Sequence, residues 1–238
     1  MVVCCMDVLQ PNEDEYKKIL PAGLEGSLVA ESVLALHALY EEIARAQESW
    51  KEKSPFRCPP GCGRCCETFE PDVLEVEALY LAVWMFKNQR ERLGFLSFET
   101  PATGCFLADP ANPYHCTVYE GRPLICRLFS YAGDRDKKGR VRFRPCKYQE
   151  GYEGVTYGEE TLYSLFRGVP PVMADYTALA LGIMPAETGQ RLPLRQALPA
   201  ALNKIRYLLD LAAFSSSPEA PFRDDDTDND GPPLGKAS

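Results

Sequence analysis

Four cysteines lie within one nine-residue loop, Cys58-Pro-Pro-Gly-Cys62-Gly-Arg-Cys65-Cys66. The Cys-x3-Cys and Cys-x2-Cys spacings let a tight turn direct two or three sulfurs toward one point. Gly61 and Gly63 permit the positive φ and the close backbone approach that such a turn needs. Thiolates are soft ligands that favour zinc, iron–sulfur clusters and copper(I). The loop therefore predicts a metal-thiolate site.

Four further cysteines follow in a stretch that is rich in proline and glycine, at Cys105, Cys116, Cys126 and Cys146. Together with the loop they make eight thiols between residues 58 and 146. Eight thiols are enough for two four-cysteine sites, or for one such site and four thiols with another purpose. The spacing alone leaves both arrangements open.

The stretch that carries the later cysteines is basic. Residues 122–147 contain nine Lys or Arg against Asp134 and Asp136, a local charge of +7 in a chain whose net charge is −8. Four thiolates around Zn²⁺ leave a formal charge of about −2, which nearby cations would offset, favouring thiolate over thiol. Arg122 and Arg127 bracket Cys126, and both are predicted to bind the cofactor by donating to its sulfur ligands.

The N-terminus, Met1-Val2-Val3-Cys4-Cys5-Met6-Asp7, lacks the basic segment and the apolar length of a signal peptide. No run reaches the roughly 18 apolar residues that a membrane span needs. These features predict a cytoplasmic protein without a membrane partner. In a reducing compartment, clustered cysteines are metal ligands or catalytic thiols more often than disulfides. Cys4 and Cys5 are far in sequence from the loop and are predicted not to be ligands.

The Cys58-x3-Cys62-x2-Cys65 spacing is shared by the radical-SAM enzymes. Those enzymes follow the motif with repeated βα units and usually place an aromatic residue before the third cysteine. Here the residue before Cys65 is Arg64, a fourth cysteine adjoins the third, and a helical pattern follows. The surrounding sequence therefore argues against a radical-SAM enzyme.

Hydrophobic periodicity predicts a mainly α fold. Apolar residues recur at helical spacing after Ser27, a predicted N-cap, and the pattern stops at Ser54-Pro55. A second helix is predicted from Pro71 to Phe86, with apolar residues on nearly every side, as in a buried helix. Three further helices are predicted over residues 159–167, 172–181 and 199–214.

The same patterns predict how the chain is divided. Residues 1–26 read as a loose lead-in and residues 27–214 as one helical domain with a cysteine-rich, irregular metal-binding insert at 56–147. Alternation of polar and apolar residues at 140–144 predicts a minor β element within that insert. The acidic tail, 215–238, has the composition of a disordered segment.

Three segments in order resemble the YkgJ-like cysteine-cluster family, a zinc- or iron-chelating domain related to the flagellin N-methylase domain. They are Cys62-Gly-Arg-Cys65-Cys66, Gly104-Cys105-Phe106-Leu107, and Tyr119-x2-Arg122-Pro123-x2-Cys126-Arg127. The resemblance covers residues 56–147 and departs from the family at the opening spacing, which is usually Cys-x2-Cys. It implies a zinc or iron–sulfur cofactor held by Cys58, Cys62, Cys65, Cys66, Cys105, Cys116, Cys126 and Cys146.

The functional prediction is a cytoplasmic metal-binding protein that chelates zinc or an iron–sulfur cluster. One alternative is a metal-dependent enzyme that modifies proteins, for example by lysine N-methylation, which the resemblance raises. A second is an interaction module with purely structural zinc. A protein substrate or partner fits both alternatives, whereas the net negative charge disfavours nucleic acid. The sequence does not decide whether the protein is an enzyme.

Two polar features near the cysteines stay open. His115 adjoins Cys116 and is either a ligand, a donor to a ligand, or an ordinary polar residue. Asp72, Glu75 and Glu77 stand where the second helix is predicted to begin, either complementing its dipole or facing the metal loop as an acid/base pair. The other histidine, His37, is interpreted as structural or solvent-facing.

Overall fold

The computed structural model describes residues 18–98, 104–184 and 189–216. Most of the predicted lead-in, residues 1–17, and most of the predicted tail, residues 217–238, lie outside the described residues. Cys4 and Cys5 lie outside them as well. All eight cysteines of the predicted metal-binding segment are described, and all are free thiols.

The fold is mainly α, which confirms the predicted class. The helices are α1 Leu28–Lys53, α2 Arg64–Thr68, α3 Glu75–Asn88, α4 Leu124–Leu128, α5 Glu159–Phe166, α6 Met173–Ile183 and α7 Leu194–Ser216. Two 3-10 turns add Arg90–Phe95 and Tyr119–Gly121. Among the described residues, no helix combines the length and the apolarity needed to cross a bilayer.

Helix α1 begins and ends where the sequence predicts. The Ser27 hydroxyl accepts a hydrogen bond from the Ala30 amide at 3.1 Å, so the predicted N-cap is confirmed. Ser54 follows the last residue of the helix. The apolar stripe of α1 is buried against α3, which packs against α7 on another side. Helix α3 is buried nearly all round for that reason, as predicted.

The predicted start of α3 at Pro71 is wrong. Asp72–Val73 forms strand β1, which pairs antiparallel with β5, Leu192–Pro193, and α3 begins only at Glu75. The Leu194 amide also donates to the Pro71 carbonyl at 3.0 Å. Because the partner strand is distant in sequence, local periodicity could not distinguish this extended segment from a first helical turn.

The last helix also begins earlier than predicted, at Leu194 rather than at Pro199, which lies inside it. A distant carboxylate stabilises this start, because Glu70 accepts a hydrogen bond from the Arg195 amide at 2.8 Å. The same carboxylate binds the Arg195 guanidinium. An acceptor for a helix N-terminus usually comes from the preceding residues, so the sequence did not reveal it.

A three-stranded antiparallel sheet supplies the predicted minor β element. Its strands are β2 Asp134–Arg135, β3 Val141–Phe143 and β4 Tyr157–Gly158, with β3 in the middle. Val141 and Phe143 are buried and Arg142 is exposed, as the alternation predicts. Phe143 packs in an aromatic core with Trp50 and Phe56, whose ring centroids lie 5.3 and 5.2 Å from its own. This core brings the chain just before Cys58 close to the chain just before Cys146.

Candidate metal centre

Five of the eight thiols form one group, which we call the five-thiol group: Cys65, Cys66, Cys105, Cys116 and Cys126. Cys65 and Cys66 lie on α2, Cys126 lies on α4, and the other two flank an irregular turn. Each thiol is an electrostatic neighbour of others in the group; Cys126, for example, faces Cys105, Cys116 and Cys65. Residues from three separate segments thus converge on one place.

Backbone contacts connect these segments. The Cys105 amide donates to the Cys66 carbonyl at 2.9 Å, so the second segment is fastened to α2 at the cysteines themselves. Gly104 makes this approach possible, because a Cβ there would lie 2.6 Å from the Glu67 carbonyl oxygen and its φ is +86°. Ala108 and Cys116 form an isolated antiparallel bridge, which brings Cys116 back beside Cys105.

Glu77 positions the third segment. This fully buried carboxylate accepts hydrogen bonds from the Leu74 amide at 2.8 Å and from the Leu124 amide at 2.7 Å. Leu124 is the first residue of α4, so one side chain joins the starts of α3 and α4 and thereby places Cys126. Burial raises the pKa of Glu77, while the two amides and Arg191 act against that rise. The sequence left open whether Glu77 complements a helix dipole or acts as an acid or base at the metal. The structure supports the first interpretation, and Glu77 complements the N-termini of two helices, α3 and α4.

Burial is the largest influence on the pKa values of three thiols of the five-thiol group. It raises the pKa of Cys105 to about 11, and it raises the pKa values of Cys116 and Cys126. Arg122 acts in the opposite direction on Cys116 and Cys126. Cys66 donates a hydrogen bond to Cys65, which lowers the pKa of Cys65 to about 6 and raises that of Cys66. In the absence of a cation, therefore, most of these thiols retain their protons.

The raised thiol pKa values predict a loss of stability at alkaline pH in the metal-free protein. Folded Cys105 holds its proton until about pH 11, whereas an unfolded thiol releases it near its ordinary pKa of 9.0. The contribution of Cys105 is therefore fully present below pH 9 and is lost as the pH rises to 11. We expect urea midpoints to fall across this interval, and to fall less in Cys105→Ala. If the urea midpoint fell equally steeply with pH in the wild type and in Cys105→Ala, the raised pKa would not belong to Cys105.

The remaining three cysteines, Cys58, Cys62 and Cys146, form a separate three-thiol group. Cys58 has Cys62 and Cys146 as its thiol neighbours. Burial raises the pKa of Cys58. The Glu150 amide donates to the Arg57 carbonyl at 2.9 Å, which holds the segment of Cys146 against that of Cys58.

Three residues that support this group were missed by sequence reasoning. The Cys58 amide donates to the Tyr131 hydroxyl at 2.8 Å. Buried Gln149 accepts from the Cys146 amide at 2.9 Å and donates to the Ser130 carbonyl at 3.0 Å. Ser130 and Tyr131 also form hydrogen bonds with the Cys58 thiol that lower its pKa against the effect of burial. The one sequence signal for these residues is that Gln149 lies three positions after Cys146, and this spacing does not by itself indicate a role.

The two arginines predicted to bind the cofactor occupy different surroundings. Arg122 neighbours the thiols of Cys65, Cys116 and Cys126 and stacks on the Tyr119 ring, 3.7 Å from its centroid. The Arg127 guanidinium lies 4.0 Å from the centroid of Tyr40 and donates to the Arg122 carbonyl at 2.9 Å. Arg122 thus faces the five-thiol group, whereas Arg127 supports the backbone that carries Arg122.

A pocket of about 370 Å³ opens beside the cysteine loop. Its lining includes Cys62, Arg64, Glu67, His115 and Tyr148. Cys62 and His115 therefore share one space, although they lie 53 positions apart along the chain. The other histidine, His37, lies 3.0 Å from the Tyr80 hydroxyl through its Nδ1 atom, in keeping with its structural interpretation.

The donor set suits a thiophilic metal. Within residues 18–98, 104–184 and 189–216, no three His, Cys, Asp or Glu side chains are arranged so that they could hold a metal ion without moving. The thiols are neighbours, and a bound cation could bring them closer together. Thiolate sulfur is a ligand that favours zinc and iron–sulfur clusters. Hard cations such as Mg²⁺ and Ca²⁺ prefer oxygen ligands. The two groups offer sulfur instead, so they do not suit these cations.

Comparison with known families agrees with this chemistry. Residues 57–147 match the CxxCxxCC family model, described as a "putative zinc- or iron-chelating domain". The match confirms the resemblance based on the cysteine motifs and supports metal binding in general. Comparisons with curated proteins and with solved structures gave no match.

Proposed function

We propose that the chain binds metal through up to eight cysteines, in two sites, because residues 57–147 match the model of the CxxCxxCC zinc- or iron-chelating domain. The five-thiol group is the first site and the three-thiol group is the second. One observation carries this proposal: cysteines that are far apart in sequence become neighbours in two separate sets, and each set has its own backbone supports.

The five-thiol group holds one thiol more than a four-coordinate site requires. Both a closed zinc site and a Cys4 iron–sulfur cluster take four thiolates. Arg122 is placed to offset part of the negative charge that four thiolates would bring. A soft metal at this site would replace the protons that burial now retains on the sulfurs, so metal uptake and proton release are coupled.

Anaerobic purification followed by metal and sulfide analysis tests the proposal. An iron–sulfur cluster would give a brown protein with iron and acid-labile sulfide in equal amounts. Zinc would give a colourless protein with zinc in whole-number stoichiometry and no sulfide. A folded protein that contains neither metal, and that takes up neither Zn²⁺ nor reconstituted iron and sulfide, would contradict metal binding altogether.

Arg122 offers a graded test of the first site. In Arg122→Gln the positive charge beside three thiols is lost, so we expect metal affinity to fall about 10-fold. The pH midpoint of metal uptake should rise, because thiolate formation would no longer be favoured by that charge. Arg142→Gln is a matched control, since Arg142 belongs to the same basic stretch but is exposed and paired with Asp134. Equal effects in both variants would indicate a general charge effect.

The pocket beside Cys62 favours a second candidate function, a metal-dependent enzyme that modifies proteins, for example by lysine N-methylation. A catalytic metal needs an open coordination position next to a space for substrate. The three-thiol group has fewer sulfurs than a closed site, and Cys62 lines the pocket. Binding of an exogenous small ligand such as cyanide to the second metal, seen by a spectral change, would support this candidate. A metal that binds no such ligand would favour chelation without catalysis.

A further inference from the structure

The three-thiol group is one donor short of the four ligands of a closed zinc site. The pocket that Cys62 lines offers three side chains with donor atoms, Glu67, His115 and Tyr148. Arg64 forms an ion pair with Glu67 at 3.2 Å, so that carboxylate already has a cationic partner. Imidazole is the donor that most often joins three thiolates on zinc. Chemistry therefore favours His115 among the three.

The turn that carries His115 is held by its own hydrogen bonds. The Asn112 side chain accepts from the Tyr114 amide at 2.9 Å, and the Asn112 carbonyl accepts from the His115 amide at 2.8 Å. His115 is thereby kept at φ +50°, in the left-handed region that non-glycine residues seldom adopt. Such a conformation costs on the order of 1 kcal/mol and clusters at functional sites.

Two glycines of the cysteine loop make room for this turn. A Cβ on Gly63 would lie 2.0 Å from His115 Cβ and 2.4 Å from its Nδ1 atom. A Cβ on Gly61 would lie 2.6 Å from the Pro113 carbonyl oxygen. The imidazole therefore rests directly against the backbone that joins Cys62 to Arg64. Larger residues at either glycine would push the histidine away from the thiols.

We propose that His115 is the fourth ligand of the second metal site, which it completes as a Cys3His site with Cys58, Cys62 and Cys146. The inference rests on the proposed metal-binding function and goes further by assigning a nitrogen donor outside the eight cysteines. A closed Cys3His site would hold its metal without an open position. The inference therefore favours chelation over catalysis at this site.

Cobalt titration of the full chain tests the assignment, because Co²⁺ substitutes for zinc and its absorption spectrum reports the ligands. The informative variant is His115→Asn, since asparagine accepts the left-handed conformation but lacks the imidazole. We expect the wild type to bind cobalt at two sites. In the variant the second site should bind cobalt about 10- to 100-fold more weakly, with altered d–d bands, while the first site keeps its affinity.

Two further variants complete the design. His115→Cys should restore the affinity of the second site and give the stronger charge-transfer absorption of a four-sulfur ligand set. His37→Asn, which changes the only other histidine in the chain, should leave both sites unchanged.

Unchanged affinity and spectrum at the second site of His115→Asn would overturn the inference while the metal-binding function stood. Weakening at the five-thiol group instead would also overturn it, since the histidine would then belong to the other set. If the wild-type protein bound no cobalt, zinc or iron, the proposed metal-binding function itself would be contradicted, whatever the role of His115.

Discussion

Replacing Cys126 by serine is expected to weaken metal binding at the five-thiol group by about 100-fold and to leave the three-thiol group loaded, because Cys126, which faces three other thiols of its group, would be one of the four ligands. These three thiols belong to Cys65, Cys105 and Cys116. Structural zinc sites with four ligands contribute roughly 10–16 kcal/mol, so one ligand is worth roughly 3 kcal/mol, or about 100-fold in affinity. Metal per chain, measured after dialysis against a competing chelator, should fall by the content of one site.

Two variants make this result specific. Cys146→Ser should show the converse, with loss of the second site and retention of the first. Cys4→Ser combined with Cys5→Ser should change neither, because these cysteines are predicted not to be ligands. Circular dichroism should stay close to that of the wild type, since the core between α1, α3 and α7 contains no predicted ligand at its centre. Loss of both metals in each single variant would show that the eight thiols form one site, against the proposed partition.

Replacing Glu77 by alanine is expected to lower the free energy of unfolding by about 2–4 kcal/mol. The substitution leaves the Leu74 and Leu124 amides unpaired in a buried position, and each such group costs about 1–3 kcal/mol. It also removes one of the two partners of the Arg191 Nη1 atom, which lies 3.5 Å from the carboxylate and also donates to the Asp72 carbonyl at 3.2 Å. Urea unfolding of the metal-free protein measures the change without a contribution from the ligand.

Glu75→Ala is the matched control for this measurement. Glu75 lies two residues away on the same helix, but its side chain is exposed and forms a surface ion pair with Lys204 at 2.7 Å. Surface pairs contribute at most about 1 kcal/mol, so the control should stay near wild type. Glu77→Gln should fall between the two, because an amide has one acceptor oxygen for the two backbone donors. Similar losses at positions 75 and 77 would show that Glu77 acts only through the helix dipole.

The long first helix could be predicted closely from the sequence because its determinants are local. A serine cap, an apolar stripe and a Ser-Pro stop lie within the helix or next to it. The alternation around Arg142 was equally local and predicted a half-buried strand. The caps and the apolar patterns that determine such elements all lie within a few residues of them in the sequence.

The starts of α3 and α7 were predicted wrongly because their determinants are distant. Asp72–Val73 is extended because it pairs with Leu192–Pro193, and α7 begins at Leu194 because Glu70 accepts from its first turn. Glu77 looked like an ordinary acidic residue in a first helical turn. Its second acceptor bond, to the start of α4, depends on packing that no local pattern records.

The sequence by itself determined the chemistry of the candidate centre. Eight cysteines in the observed motifs specify soft sulfur donors, because ligand type is a property of the side chains wherever they lie. The tertiary structure decided how those donors are shared. Two glycines admit the turn of His115, Glu77 places Cys126, and an aromatic core draws Cys58 toward Cys146. The proposed division into five thiols, and three thiols with a histidine, therefore rests on packing and backbone pairing between distant segments.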